Sequence, residues 1–292
     1  MILFADDTNL IFEIEDQETQ FINQVLTEIS KWFSANKLSL NIEKTKFILF
    51  GKNSHDLDAI HLKINGVDID RINSIRFLGV TIQKNLKWTE HINNVANKVA
   101  KVNSVLYRMK YILPERVKLQ IYNALAVSHL TYGIVAWGDT SRSLLKRLFI
   151  LQKKCLRTIA NAKYNSHTDP LFKKFNVLKF QDIFRLNCCK LNCRKILENL
   201  PVYHSQKLPS IESLLPHFSR QSCNVYIHII RTNIDKQLLN FKVGTCWNSL
   251  PNHIKQSAFP SIAAFSKKMK LHIINSYNQY CYIRNCISCL RQ

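Results

Sequence analysis

The chain has 292 residues, 46% of them hydrophobic, enough to bury a sizeable core as two or three compact units. Its net charge of +21 is uneven: residues 1–30 carry seven acids and no Lys or Arg, leaving 41 basic residues against 13 acids, a net +28, in the rest. An acidic segment ahead of a basic remainder suits a polyanion held beside divalent ions, whereas a merely solvated basic surface is the plain alternative.

Secretion is not expected, because Met1-Ile2-Leu3-Phe4-Ala5 has no basic segment and meets Asp6 and Asp7 before an apolar stretch can form. All nine cysteines lie at or after Cys155, an odd number without a secretion signal, which argues for free thiols in a reducing, intracellular setting, cytoplasm and nucleus. Leu119 to Gly138 is uncharged and long enough for a bilayer, but Gln120, Asn123, Ser128, His129 and Thr131 make it too polar to span one. It reads as a buried helix followed by a strand or second helix, with no membrane partner.

The first predicted element is a hairpin. Met1-Ile2-Leu3 and Leu10-Ile11-Phe12-Glu13-Ile14 flank Asp6-Asp7-Thr8-Asn9, two apolar strands around a polar turn. Two adjacent carboxylates in an apolar setting either stay in water or take a cation, and a divalent metal is the natural one. Next, Phe21, Ile22, Val25, Leu26, Ile29, Trp32 and Phe33 recur at helical spacing and predict an amphipathic helix over 17–35 covering one sheet face. Lys46 to Phe50 reads as a strand, followed by a polar loop through Asp58. His61–Ile64 and Val67–Ile69 flank Asn65-Gly66, a strong hairpin signal. His55 and His61 have no ligand partner at metal spacing and read as surface histidines. Ile75 to Gln83 reads as a strand pair or bent strand around Gly79, whose missing side chain allows close backbone approach.

From Trp88 to Tyr111, Ile92, Val95, Val99, Val102, Leu106 and Met109 predict a long helix, and Pro114 opens a second one continued by Val117, Ile121 and Leu125. Lys84, Lys87, Lys98, Lys101, Arg108, Lys110, Arg116 and Lys118 make this region basic, as suits phosphate contacts that follow a duplex without reading bases. Over Ser141 to Ala160, Leu144, Leu148, Leu151, Cys155 and Ile159 line one face, and Arg142, Lys146, Lys153 and Arg157 another. That helix reads as a phosphate rail, or simply as solvated. Beyond Asn165-Ser166-His167-Thr168-Asp169-Pro170, helices are predicted over Phe180–Leu200 and Ser261–Ile274, separated by a loop-rich stretch with Pro201, Pro209 and Pro216.

Several of these stretches, in this order, resemble the reverse transcriptase of jockey-like non-LTR retrotransposons. Phe4-Ala5-Asp6-Asp7 looks like the catalytic palm motif. Asn36-Lys37-Leu38-Ser39-Leu40-Asn41-Ile42-Glu43-Lys44-Thr45-Lys46 resembles the next palm motif, and Arg76-Phe77-Leu78-Gly79-Val80 the primer grip. Leu130-Thr131-Tyr132-Gly133-Ile134-Val135-Ala136-Trp137-Gly138 and Cys246-Trp247-Asn248-Ser249-Leu250-Pro251 are similar to stretches found downstream.

The resemblance implies an α+β protein: a partial palm over 1–83, a helical thumb over 84–165 and a basic, mainly helical region over 166–292. It implies RNA-directed DNA synthesis with an RNA template, a DNA primer, their hybrid and deoxynucleotides as partners, and Mg2+ or Mn2+ as cofactor. Asp6 and Asp7 would hold the ions, Lys44 would serve the leaving pyrophosphate, and Phe77, Leu78 and Gly79 would grip the primer. The ordinary reading of Lys44 is a solvated lysine beside Lys37 and Lys46. In that family another metal-binding aspartate lies on an earlier strand, so the expectation is the C-terminal part of a longer polymerase, inactive alone. The alternative is a non-catalytic nucleic-acid-binding remnant. Cys281-x4-Cys286-x2-Cys289, with His272 upstream, departs from the family's Cys/Cys/His/Cys knuckle, so zinc is not expected. The sequence leaves oligomeric state open.

Overall fold

The computed structural model describes residues 2–4, 6–13, 19–50, 60–197, 200–201, 224–227, 232, 238–256 and 261–277. It divides into two units, residues 1–88 and 89–292. Helix and sheet are mixed, as an α+β chain requires, and all the strands among the described residues lie in the first unit.

The first unit opens with β1 (Ile2–Phe4) and β2 (Asp7–Asn9), antiparallel, with Phe4 opposite Asp7 and Ile2 opposite Asn9. The apolar pattern predicts the second strand at Leu10 to Ile14; it begins at Asp7 instead. Closing the turn that early frees Leu10 and Phe12 from the ladder, and both pack against a small core of Ile22, Leu26, Leu62, Ile64 and Ile69. Ile14 lies outside the described residues.

Helix α1 (Thr19–Ala35) supplies Ile22, Leu26 and Ser30 to the buried side. Its apolar stripe is wider than the core it meets, so Phe21 and Trp32 remain exposed. Asn23 fastens the helix to the following strand: its Nδ2 donates to the His61 carbonyl at 3.2 Å, and its Oδ1 accepts from the Lys63 N–H at 2.9 Å. β4 (Lys63–Ile64) and β5 (Val67–Asp68) form the expected hairpin, with Asn65 at φ 51° and Gly66 at φ 78°. Positive φ at both central residues is the geometry that Asn-Gly favours. β3 (Lys46–Phe47) is shorter than the predicted strand and pairs parallel with β6 (Asp70–Arg71). β7 (Ser74–Phe77) and β8 (Val80–Gln83) form a third hairpin. The loop at 51–59 lies outside the described residues.

The second unit is helical. α2 (Thr89–Arg108) buries Ile92, Val95, Val99, Val102 and Leu106, the stripe its spacing predicted. α3 (Glu115–Ile121) starts after Pro114, runs into a π-helical turn at Tyr122–Val127 and continues as α4 (Ser128–Thr131). Its buried face is rotated by one residue from the predicted one. Lys118, Tyr122, Ala126 and Leu130 are fully buried, whereas Leu125 is exposed. After Gly133, at φ 61°, comes α5 (Ile134–Trp137), so the downstream part of the uncharged run is helix and not strand.

α6 (Arg142–Ile159) packs along α2, and α7 (Asp169–Lys174) follows. α8 (Phe180–Ile196) contacts α5, α9 (Leu239–Asn248) and α11 (Ile262–Asn275), with α10 (Asn252–Lys255) beside the last. α8 buries Phe180, Ile183, Phe184, Leu186, Cys188, Cys189 and Cys193, spread around more than one face, as suits a helix packed against several neighbours. Among the described residues no helix is long and apolar enough to cross a membrane.

Candidate functional site

Asp6 sits in the turn of the β1–β2 hairpin, and Asp7 opens β2 opposite Phe4. Both are exposed, and neither carboxylate meets a hydrogen-bonding or ionic partner among the described residues. The strand beside them is apolar yet uncovered, with Leu3 62% and Phe4 58% exposed. Among the described residues, no three His, Cys, Asp or Glu side chains gather where they could hold a metal ion. Among the described residues, the hairpin thus offers two carboxylates adjacent in sequence and no third ligand gathered with them.

Lys44 ends a short 3₁₀ turn, Ile42–Lys44, whose first exposed N–H groups are met by Asn41: the Asn41 Oδ1 accepts from the Lys44 N–H at 3.0 Å. The Lys44 side chain is exposed and has no partner among the described residues. Lys46 is instead paired with Asp70 across the β3–β6 ladder. Phe77, Leu78 and Gly79 form the tip of the β7–β8 hairpin, with Leu78 at φ 44° and Gly79 at φ 82°. Gly79 serves the left-handed backbone of a two-residue turn, a more specific demand than the close approach expected of it. Leu78 occupies a conformation a branched side chain rarely adopts.

In the second unit, Lys98 and Lys101 are exposed on α2, away from its buried stripe. Lys98 lies close enough to His91 and His129 to add to the burial that lowers both imidazole pKa values. On α6, Arg142 and Lys146 are exposed. Lys153 and Arg157 share their face but also pack inward. The Lys153 Nζ lies 4.3 Å from the Phe149 ring centroid, and the Arg157 Nε donates to the Ser166 carbonyl at 2.8 Å. Burial lowers the pKa of both. Arg147, which no motif singles out, crosses to α2 and donates to Asn93 at 2.7 Å and Asn97 at 3.2 Å.

Lys118 departs furthest from its expected place. Counted among the basic surface residues, it is fully buried, and its Nζ donates to the Lys110 carbonyl and to Asn161 Oδ1, each at 2.9 Å. Burial lowers its pKa. The clue available in the sequence is its spacing, four residues before Tyr122 and eight before Ala126.

The two downstream stretches do structural work around α8. Trp137 is fully buried, stacks on Phe180 at 5.7 Å between centroids and donates its Nε1–H to the Tyr132 carbonyl at 3.0 Å. A Cβ at Gly138 would lie 2.6 Å from the Ile134 carbonyl and 2.7 Å from Phe184 Cδ2, so only glycine fits there. Trp247 packs on Phe265 at 5.7 Å, while Asn248 both donates to and accepts from the Val225 backbone at 2.9 Å. Cys155, Cys188, Cys189, Cys193 and Cys246 are free thiols. His272 lies edge-on to His253 at 5.7 Å, and Cys281, Cys286 and Cys289 lie outside the described residues.

No family model matches the chain, and no solved structure does. Curated proteins do match. The RNA-directed DNA polymerase from mobile element jockey of Drosophila melanogaster is 25% identical over 187 residues, 61% of this chain and 20% of that protein. The probable RNA-directed DNA polymerase from transposon BS of the same species is 23% identical over 60% of this chain and 20% of its own length. The jockey polymerase of Drosophila funebris is 26% identical over 58% of this chain and 19% of its length. The chain spans about a fifth of the length of the curated relatives it matches. Its curated homologues are thus the RNA-directed DNA polymerases of jockey and other non-LTR transposons.

Proposed function

We propose that this chain supplies palm and thumb elements of an RNA-directed DNA polymerase of a non-LTR retrotransposon, with the palm over 1–83, the thumb over 84–165 and a basic helical region after them. The observation that carries the reading is the β1–β2 hairpin, which presents Asp6 in its turn and Asp7 directly after it, exposed and unpaired among the described residues. Carboxylates are hard oxygen donors, and Mg2+ is commonly held by one or two of them plus water and substrate phosphate; Mn2+ accepts the same ligands. The donor set therefore suits either ion. Bound there, a divalent ion would stabilise charge on the reacting phosphate oxygens.

The chain's own residues divide the remaining work. Asp6 is the direct ligand, and Asp7 adds negative charge beside it. Lys44, on a capped turn and with no side-chain partner among the described residues, neutralises or protonates the leaving pyrophosphate. Phe77, Leu78 and Gly79, on a hairpin tip with a fixed backbone, position the primer strand. Lys98, Lys101, Arg142 and Lys146 meet the phosphates of template, primer and hybrid, with Lys153 and Arg157 at the inner edge of the same α6 face.

The test joins this chain in cis to the N-terminal half of a jockey-like polymerase and measures extension of a DNA primer on RNA. Asp6→Asn should reduce extension more than about 100-fold while template binding stays within about twofold. Extension that survives Asp6→Asn would remove this hairpin from catalysis.

A further inference from the structure

The two most exposed tyrosines among the described residues, Tyr111 at 86% and Tyr164 at 83%, stand in loops that a single buried ammonium joins. Tyr111 follows Lys110 in the α2–α3 turn, and Tyr164 lies three residues after Asn161 in the loop leaving α6. Lys118 Nζ holds the Lys110 carbonyl and Asn161 Oδ1 at once, each at 2.9 Å, so the two loops are anchored at one point although those anchors are 51 positions apart in the sequence. Arg157 fastens the far end of the second loop through the Ser166 carbonyl. The rings are thus held out on fixed supports, which is not what a merely solvated loop requires.

The surroundings select the occupant. Lys110 lies 5.2 Å from the Tyr111 ring centroid, and Arg108 and Lys163 are exposed nearby in sequence. From His91 to Gly138 the only acid is Glu115, which is ion-paired with Lys174, and from Thr140 to Thr168 there is none. Asp169, just after the second stretch, is likewise ion-paired, with Lys179, and exposed aromatic rings interleaved with cations and with the neighbouring acids already paired suit a strand whose bases are free to stack and whose phosphates need counter-charge. A paired duplex hides its base faces and would leave the rings idle.

We propose that Tyr111 and Tyr164 form a stacking platform for unpaired bases of single-stranded nucleic acid, with Lys110 and Lys163 on its phosphates. The proposal rests on the nucleic-acid-handling reading above and adds a site outside the catalytic hairpin and the basic faces of α2 and α6.

The experiment measures, by fluorescence anisotropy, binding of the full chain to a labelled thymidine oligomer, to an abasic oligomer of the same length and to a blunt duplex. Tyr111→Ala and Tyr164→Ala should each weaken binding to the thymidine oligomer by about 5- to 150-fold, the value of one stacked base, and leave the abasic oligomer and the duplex within about twofold. Tyr111→Trp and Tyr164→Trp should retain binding. Both side chains are exposed enough that an unchanged melting temperature can be checked for each variant. Equal losses on thymidine and abasic strands, or no loss on either, would overturn the stacking platform while leaving the polymerase reading intact. A wild-type chain that binds none of the three probes would overturn both.

Discussion

The hydroxyl of Tyr277 donates to the Asp182 carboxylate, joining residues 95 positions apart, and accepts the Lys179 N–H at 3.0 Å. One phenol thereby caps the N-terminus of α8 and ties the end of α11 to it. Burial and the bond to Asp182 raise its pKa far above the ordinary phenol value, so it stays protonated and donating at any physiological pH. Tyr277→Phe should destabilise the second unit by about 1.5–3 kcal/mol, the value of a buried hydrogen bond to a charged group, read as a lower urea midpoint.

Lys118 and Arg116 are two residues apart and should behave oppositely. Arg116 is exposed, whereas Lys118 is buried and donates to two acceptors. Lys118→Met should cost about 1–3 kcal/mol, since it removes a buried ammonium together with its two hydrogen bonds, to the Lys110 carbonyl and Asn161 Oδ1. Arg116→Met should shift the unfolding midpoint by less than about 0.5 kcal/mol equivalent. Similar costs for the two would mean that Lys118 is not the clamp described above.

The basic residues of α6 should separate by the same logic. Arg142 and Lys146 project freely, so replacing both with Gln should lower nucleic-acid affinity without changing the melting temperature. The slope of log affinity against log salt should fall by about one for each phosphate left without its cation. Arg157→Gln should lower the melting temperature as well, because the Ser166 carbonyl loses its donor. Binding titrations across a salt series, paired with thermal melts, distinguish the two classes.

His91 is buried edge-on against Trp137 at 5.1 Å, and burial, aided by Lys98, holds its pKa below the ordinary 6.5. The unfolded chain therefore takes up a proton near pH 6.5 that the folded chain refuses. Stability from this group is complete above that pH and declines as pH falls below it. His129 is shifted in the same direction, chiefly by burial, and adds to the slope. His91→Phe should flatten the loss of stability between about pH 6.5 and 5, and urea titrations at stepped pH would measure it. An unchanged slope would mean that His91 is not kept neutral by the fold.

Long periodic segments and turn chemistry were legible in the sequence because they are decided locally. α1 and α2 form within a few residues of their predicted bounds, since a stripe repeated over many turns tolerates errors at the ends. Asn65-Gly66 was legible because the turn demands positive φ at both residues, and the order of the motifs was enough to point toward the polymerases this chain matches. That Asp6 and Asp7 lie at a hairpin was legible, but the exact seat of that hairpin was not: which residues close it depends on whether Leu10 and Phe12 gain more in the ladder or against α1, and both pack on the core that holds Ile22 and Leu26.

Tertiary structure alone decided the face of α3. Rotating its stripe by one residue buries a similar number of apolar side chains, so periodicity cannot choose. The observed face is the one on which distant chain supplies partners: Gln152 donates to the Tyr122 hydroxyl, and Asn161, 43 positions from Lys118, accepts from its ammonium. The same contact brought Tyr111 and Tyr164 onto joined supports. The spacing of Lys118 from Tyr122 and Ala126 allows this face but does not select it, because a charge is buried only where distant chain supplies its partners.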